Sequence, residues 1–172
     1  MFNFYNKTKV QENKLYNKIL ILSRNKLLYK KFEISDTFQN RIYLIFFHVS
    51  FLLVKLKKSK KSHLYKEFSQ KVFDCVFKNI ELNMREIGFG DVTVNKNMKF
   101  LTKFFYKILP FIENYTKKSL DNKKSFLLKY ISADKLKNNN VGLIDYFDKY
   151  HSFCLDLSTD SVLNGDLNFN YK

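Results

Sequence analysis

Punctuation is scarce in this sequence. Its 172 residues include one proline and four glycines, too few turn formers for the many tight connections of an all-β fold. Cysteine is almost missing as well. Cys75 and Cys154 stand far apart and outside any Cys-x-x-Cys or Cys/His spacing, which argues against a disulfide framework or a zinc site. Each falls on an apolar helical face and reads as a buried, reduced thiol. A long apolar run is also lacking. The uncharged stretch Ile42 to Val54 has 13 residues and contains His48, against the roughly 20 that span a bilayer. The opening Met-Phe-Asn-Phe-Tyr-Asn-Lys has neither the apolar core nor the small-residue cleavage site of a secretory signal, and it is short of the Arg and Ser of a transit peptide. Arginine is limited to Arg24, Arg41 and Arg85.

What is present is apolar and basic. Hydrophobic residues make up 45% and aromatics 17%, with 19 Phe and 11 Tyr, enough to fill one sizeable core in a chain of this length. The net charge is +15, from 31 basic and 16 acidic residues. An excess of that size points to an anionic partner, either nucleic acid or a lipid surface. It is equally the composition that an AT-rich genome produces, since Lys, Asn, Ile, Phe and Tyr are all abundant.

Periodicity predicts a single-domain, all-α, irregular bundle of about six helices over residues 10–172, with residues 1–9 as a flexible N-terminus. A first helix is expected from near Val10 to Lys30, with Leu15, Ile19 and Leu22 on one face. Ser35 or Asp36 is the expected cap of the second, and Asp36 with Gln39 resembles a capping box. That second helix, Arg41 to Val54, is apolar all round and is expected at the centre of the core. Lys55, Lys57, Lys58, Lys60 and Lys61 follow as the densest run of charge, suited to a helix C-terminus or to an anionic surface. A fourth helix is expected from about Asn95 towards Tyr115, bent or ended near Pro110. A fifth segment covers Ser119 to Tyr130. Lys137 to Asn140 reads as a loop, and a sixth helix as Val141 to about Leu157.

Between the third and fourth helices lies Met84 to Lys96. Leu64, Phe68, Val72, Cys75, Val76 and Ile80 lead into it, and Met98, Leu101, Phe105, Ile108, Ile112 and Tyr115 lead out, each set at helical spacing. Gly88 is placed to take the left-handed conformation that ends a helix. Asp91 or Thr93 is placed to cap the next. The stretch reads as a rigid corner built on Gly88 and Gly90.

The same residues carry a resemblance. Arg85-Glu86-Ile87-Gly88-Phe89-Gly90-Asp91, then Val94-x-Lys96, Met98-Lys99 and Phe105-Tyr106, resemble the signature of the ubiquinol–cytochrome c chaperone family. Asn95 stands where that family has proline, and Lys107 where it has glycine. Tyr16, Arg24, Tyr29, Asp36-Thr37, Arg41, Phe47-His48, Leu53 and Leu56 are in step with the family's N-terminal half. Val162-Leu163-Asn164-Gly165-Asp166-Leu167-Asn168-Phe169 is similar to its C-terminal pattern. The similarity spans roughly residues 12 to 169, and its central block is the specific part.

The resemblance implies a non-enzymatic assembly chaperone for newly made cytochrome b, and hence for ubiquinol–cytochrome c reductase, acting with or without a second assembly factor. It implies a place in an alphaproteobacterial cytoplasm beside the inner membrane, or in the mitochondrial matrix of a eukaryotic host. Arg85, Glu86, Asp91, Lys96 and Tyr106 are the candidate partner- or client-binding residues, with Gly88 and Gly90 as the structural corner; the four charged residues read alternatively as caps and ion pairs that fasten that corner. No cofactor, metal or specific DNA partner is implied. The residues agree: Gly88-x-Gly90 lacks the third glycine of a dinucleotide site, and His48, His63 and His151 have no companions at metal-ligand spacing. The rival readings use the lysine run, as a ribosome- or RNA-binding protein or as a peripheral membrane scaffold.

Overall fold

A computed structural model describes residues 2–58, 62–131 and 141–171. The fold is all-α, and no strand occurs among the described residues. Among the described residues six helices of 11 or more residues build the bundle: α1 Phe2–Ser23, α3 Phe38–Lys57, α4 Ser62–Glu86, α5 Asp91–Glu113, α6 Leu120–Tyr130 and α7 Gly142–Asp156. Two five-residue helices, α2 Lys26–Lys30 and α8 Thr159–Leu163, join them.

Helix α3 is the axis. Fourteen of its 20 residues are buried, from Asn40 to Leu56, and it packs against α1, α4, α5 and α7. Its rings reach outward in every direction. Phe46 stacks on Phe77 of α4 at 5.2 Å and meets Phe105 of α5 edge-on at 5.1 Å. Phe47 meets Phe147 of α7 at 5.6 Å. Such pairs add about 0.5–1.5 kcal/mol each beyond the area they bury. The surrounding helices bury one stripe apiece, as their spacing predicts: Phe68, Val72, Val76, Ile80 and Met84 on α4, and Leu101, Phe105, Ile108 and Ile112 on α5. Leu143, Phe147, Tyr150 and Cys154 do the same on α7.

The core is keyed by polar contacts at His48. His48 is fully buried and donates from Nδ1 to the Leu44 carbonyl at 2.6 Å, while its Nε2 accepts from the Tyr146 hydroxyl at 2.8 Å. Burial holds the imidazole neutral by pushing its pKa down to about 4. The expected hydrogen-bonded core histidine is what the structure contains. Cys154 is buried and Cys75 half-buried, and both are free thiols.

Three local expectations need correction. The first helix begins at Phe2 and stops at Ser23, because the Asn25 side chain accepts from Leu27 N–H at 3.0 Å and starts α2 afresh. The cap of α3 is Thr37, whose hydroxyl accepts from Asn40 N–H at 3.1 Å. Asp36 cannot serve there, since both its carboxylate oxygens hold Arg41, at 2.6 and 2.8 Å. Helix α5 starts at Asp91 with Gly90 as its N-cap, so neither Asp91 nor Thr93 caps it. Pro110 lies inside α5, which ends three residues later at Glu113. The expected loop at Lys137 to Asn140 lies outside the described residues.

Candidate functional site: an exposed corner and an apolar groove

The corner between α4 and α5 has the geometry its glycine predicts. Gly88 adopts φ +92°. Phe89 N–H reaches back to the Met84 carbonyl and Gly88 N–H to the Arg85 carbonyl, each at 3.0 Å. These are the paired bonds of a Schellman termination, and they satisfy carbonyls that the helix end would leave bare. Arg85 ties the two helices together, with its guanidinium on Glu81 at 2.9 Å and on Asp91 across the bend. These hydrogen bonds to Asp91 and Glu81 raise the Arg85 pKa further. Asp91 also lies in the first turn of α5, where a carboxylate complements the helix dipole.

Around this frame the surface is apolar and open. Ile87 is 55% exposed, Phe89 38% and Val92 83%. Glu86 and Lys96 are exposed and form no ion pair among the described residues. Arg85 and Asp91 thus fasten the bend, whereas Glu86 and Lys96 are left facing outward.

Tyr106 belongs elsewhere. It is 15 residues along α5 from Asp91, about 22 Å at 1.5 Å per residue, on the rim of a groove of about 560 Å³ between α3, α4 and α5. Leu53 and Val54 from α3, Phe73 from α4, and Phe105 and Leu109 from α5 form its walls and floor. Phe73 stacks on Phe77 at 4.2 Å and lies 5.8 Å from the Tyr106 ring, which is 56% exposed. Polar groups stand at the edge: Lys66, Ser69 and Gln70 from α4, and Lys57 paired with Glu113. An apolar floor with a polar rim is the anatomy of a protein-binding patch.

The lysine run is less available than its density suggests. Lys55 donates to the Leu155 carbonyl, Lys57 to the Glu113 carboxylate, and Lys58 to the Glu113 carbonyl at 3.4 Å. Lys60 and Lys61 lie outside the described residues.

Phe73 and Leu109 were not among the residues singled out from the sequence, and Leu53 was named only as part of the family resemblance. Their signal was present: each is apolar yet falls beside the buried stripe of its helix. No group of His, Cys, Asp or Glu among the described residues is arranged to hold a metal ion, and no helix there is long and apolar enough to cross a membrane.

The fold is an all-α helical bundle, with an apolar groove at one end of the α4–α5 hairpin and an exposed bend at the other. A family profile described as ubiquinol–cytochrome C chaperone matches residues 30–126, more than half of the sequence and the part that holds both features. The chain belongs to the ubiquinol–cytochrome c chaperone family. In fold it is similar to the crystal structure of the Cbp3 homolog from Brucella abortus, with a TM-score of 0.80 at 20% identity over 98% of this chain and 93% of that one. No curated protein sequence matches the chain.

Proposed function

We propose that this protein is a non-enzymatic assembly chaperone that holds newly made cytochrome b for ubiquinol–cytochrome c reductase. The observation that carries this reading is the groove over Leu53, Phe73, Phe105 and Leu109, open to solvent on a protein of this chaperone family. A polytopic membrane protein exposes apolar segments before it is inserted and assembled. A concave apolar surface of this size covers part of such a segment, and Tyr106 and the polar rim orient it. The exposed bend, with Glu86 and Lys96 outward, is suited to a second contact, with the client or with another assembly factor. In this reading the protein works beside the membrane that receives cytochrome b, in an alphaproteobacterial cytoplasm or a mitochondrial matrix.

The test is photo-crosslinking from position 106 in the native host, together with deletion of the gene. Crosslinks to cytochrome b and a selective loss of assembled reductase are the expected outcome. Normal cytochrome b levels and normal reductase activity after deletion would remove the proposal.

A further inference from the structure

A second concavity lies away from the groove, where the end of α1, α2 and the start of α3 meet. It is a cleft of about 380 Å³ lined by Arg24, Lys26, Tyr29, Lys30, Asp36 and Arg41. Two of the chain's three arginines are in it. Asp36 is already held by both donors of Arg41, so the pair contributes little net charge. Arg24, Lys26 and Lys30 are exposed and have no carboxylate partner among the described residues. Lys26 and Lys30 are four residues apart on α2, on one face. This is a concentration of charge without a carboxylate partner, whereas Lys57 in the lysine run is already paired with Glu113.

A smaller recess of about 170 Å³ adjoins the cleft, since Arg24 and Arg41 line both. Its other walls include Leu20, Phe38, Ile42 and Ile80. Glu86 is its one carboxylate, which disfavours an anion in the recess and leaves the cleft as the anionic position. Ile21, three residues before Arg24 on α1, is 66% exposed, and Ile87 on the recess wall is 55% exposed. Cations beside exposed aliphatic side chains are the pattern of a protein resting on a lipid surface. Single-stranded RNA would need open rings to stack on. Here the Tyr29 hydroxyl is turned back onto the Ser23 carbonyl at 2.8 Å, and Phe38 is packed edge-on against Phe89.

We propose that the cleft of Arg24, Lys26 and Lys30 is a binding site for the phosphate of an anionic phospholipid headgroup, with Ile21 and Ile87 entering the acyl region beside it. Arg24 supplies the planar fork that suits a phosphate oxygen pair, and the two lysines act as point charges.

The experiment is co-sedimentation of the full chain with phosphatidylcholine vesicles, with and without phosphatidylglycerol. The variant R24Q/K26Q/K30Q is compared with K99Q/K103Q/K107Q, which removes equal charge from α5. All six side chains are exposed, so melting checks that both variants fold. Binding only with phosphatidylglycerol is expected. It should weaken on the order of 100-fold in the first variant, at about a factor of five per cation, and only a few-fold in the second. Ile21→Gln should weaken binding with an unchanged salt slope. Equal loss in the two triple variants, or no loss in the first, overturns the site. Displacement by inorganic phosphate at matched ionic strength, or tighter binding of single-stranded RNA through the same three residues, overturns the lipid assignment.

Discussion

Replacing Gly88 with valine isolates the backbone term at the corner. A Cβ built at Gly88 meets nothing within 4 Å, so steric collision with the rest of the protein is absent from the balance. What remains is φ +92°, which a β-branched residue adopts only under strain of about 1–3 kcal/mol. The stiffer unfolded chain offsets about 0.4–1 kcal/mol of that. The net loss is roughly 1–2 kcal/mol, or about 2–8 °C in Tm for a protein of this length. Gly90 is the internal control. Its φ is −70° and it caps α5 without a side chain. Gly90→Ser therefore adds a capping hydroxyl at no backbone strain, and stability should rise by up to about 1 kcal/mol. Gly165→Ala should cost more than Gly88→Ala although its φ of +66° is the less strained of the two, because there the new Cβ would lie 3.0 Å from the Leu15 backbone nitrogen. Thermal melts of the variants, backed by urea titration, decide the matter. Gly88→Val melting with wild type, or Gly90→Ser falling as far as Gly88→Val, would refute the termination geometry.

Acid should expose His48. Its folded pKa of about 4 lies below the usual 6.5, so the unfolded chain binds the proton first and stability falls as pH drops through the window from 6.5 to 4. Between pH 7 and pH 5 this amounts to about 2 kcal/mol, and urea titrations should show the difference shrinking in His48→Leu. Tyr146→Phe leaves the imidazole Nε2 without its donor and should cost about 1–3 kcal/mol in the same assay. Arg85→Ala removes exposed ion pairs only, so Tm should hardly move, while client capture falls if the bend is a contact surface. Exchanging Lys55, Lys57 and Lys58 for Gln should likewise leave melting nearly unchanged. If that change abolishes cytochrome b capture while Arg85→Ala spares it, the basic-surface reading overtakes the chaperone one.

Local chemistry was legible in the sequence wherever one residue settles the outcome. Gly88 could end a helix because it lacks the Cβ that penalises a positive φ, and the apolar circumference of Ile42 to Val54 left α3 no place but the centre. His48 had to find partners once it was inside. Its main partner, Tyr146, is 98 residues away, and no short-range pattern can name it. The caps failed for a related reason. Asp36 is a good cap by propensity, but Arg41 takes its carboxylate, a competition decided only when α3 has formed. The break after Ser23 was signalled by Asn25, yet the apolar spacing runs across it undisturbed. The groove is a property of three helices splaying apart, so Tyr106 could be singled out while Phe73 and Leu109 beside it were not. The cleft of Arg24, Lys26 and Lys30 likewise exists only once α1 and α3 bring Arg24 and Arg41 together.

The bond between His48 and Tyr146 also dictates a schedule. Helix α3 is translated long before α7, and its partners Tyr146, Phe147 and Tyr150 follow about a hundred residues later. At about 5–20 residues per second, the face of α3 around His48 stays without Tyr146, Phe147 and Tyr150 for on the order of 5–20 s. In that interval it is an aromatic surface with an imidazole free to take up a proton. The last third of the chain is therefore a late-arriving lid over the first: it converts a sticky nascent chain into a closed bundle, and a ribosome that stalls before Tyr146 releases a protein whose own core is the exposed apolar segment.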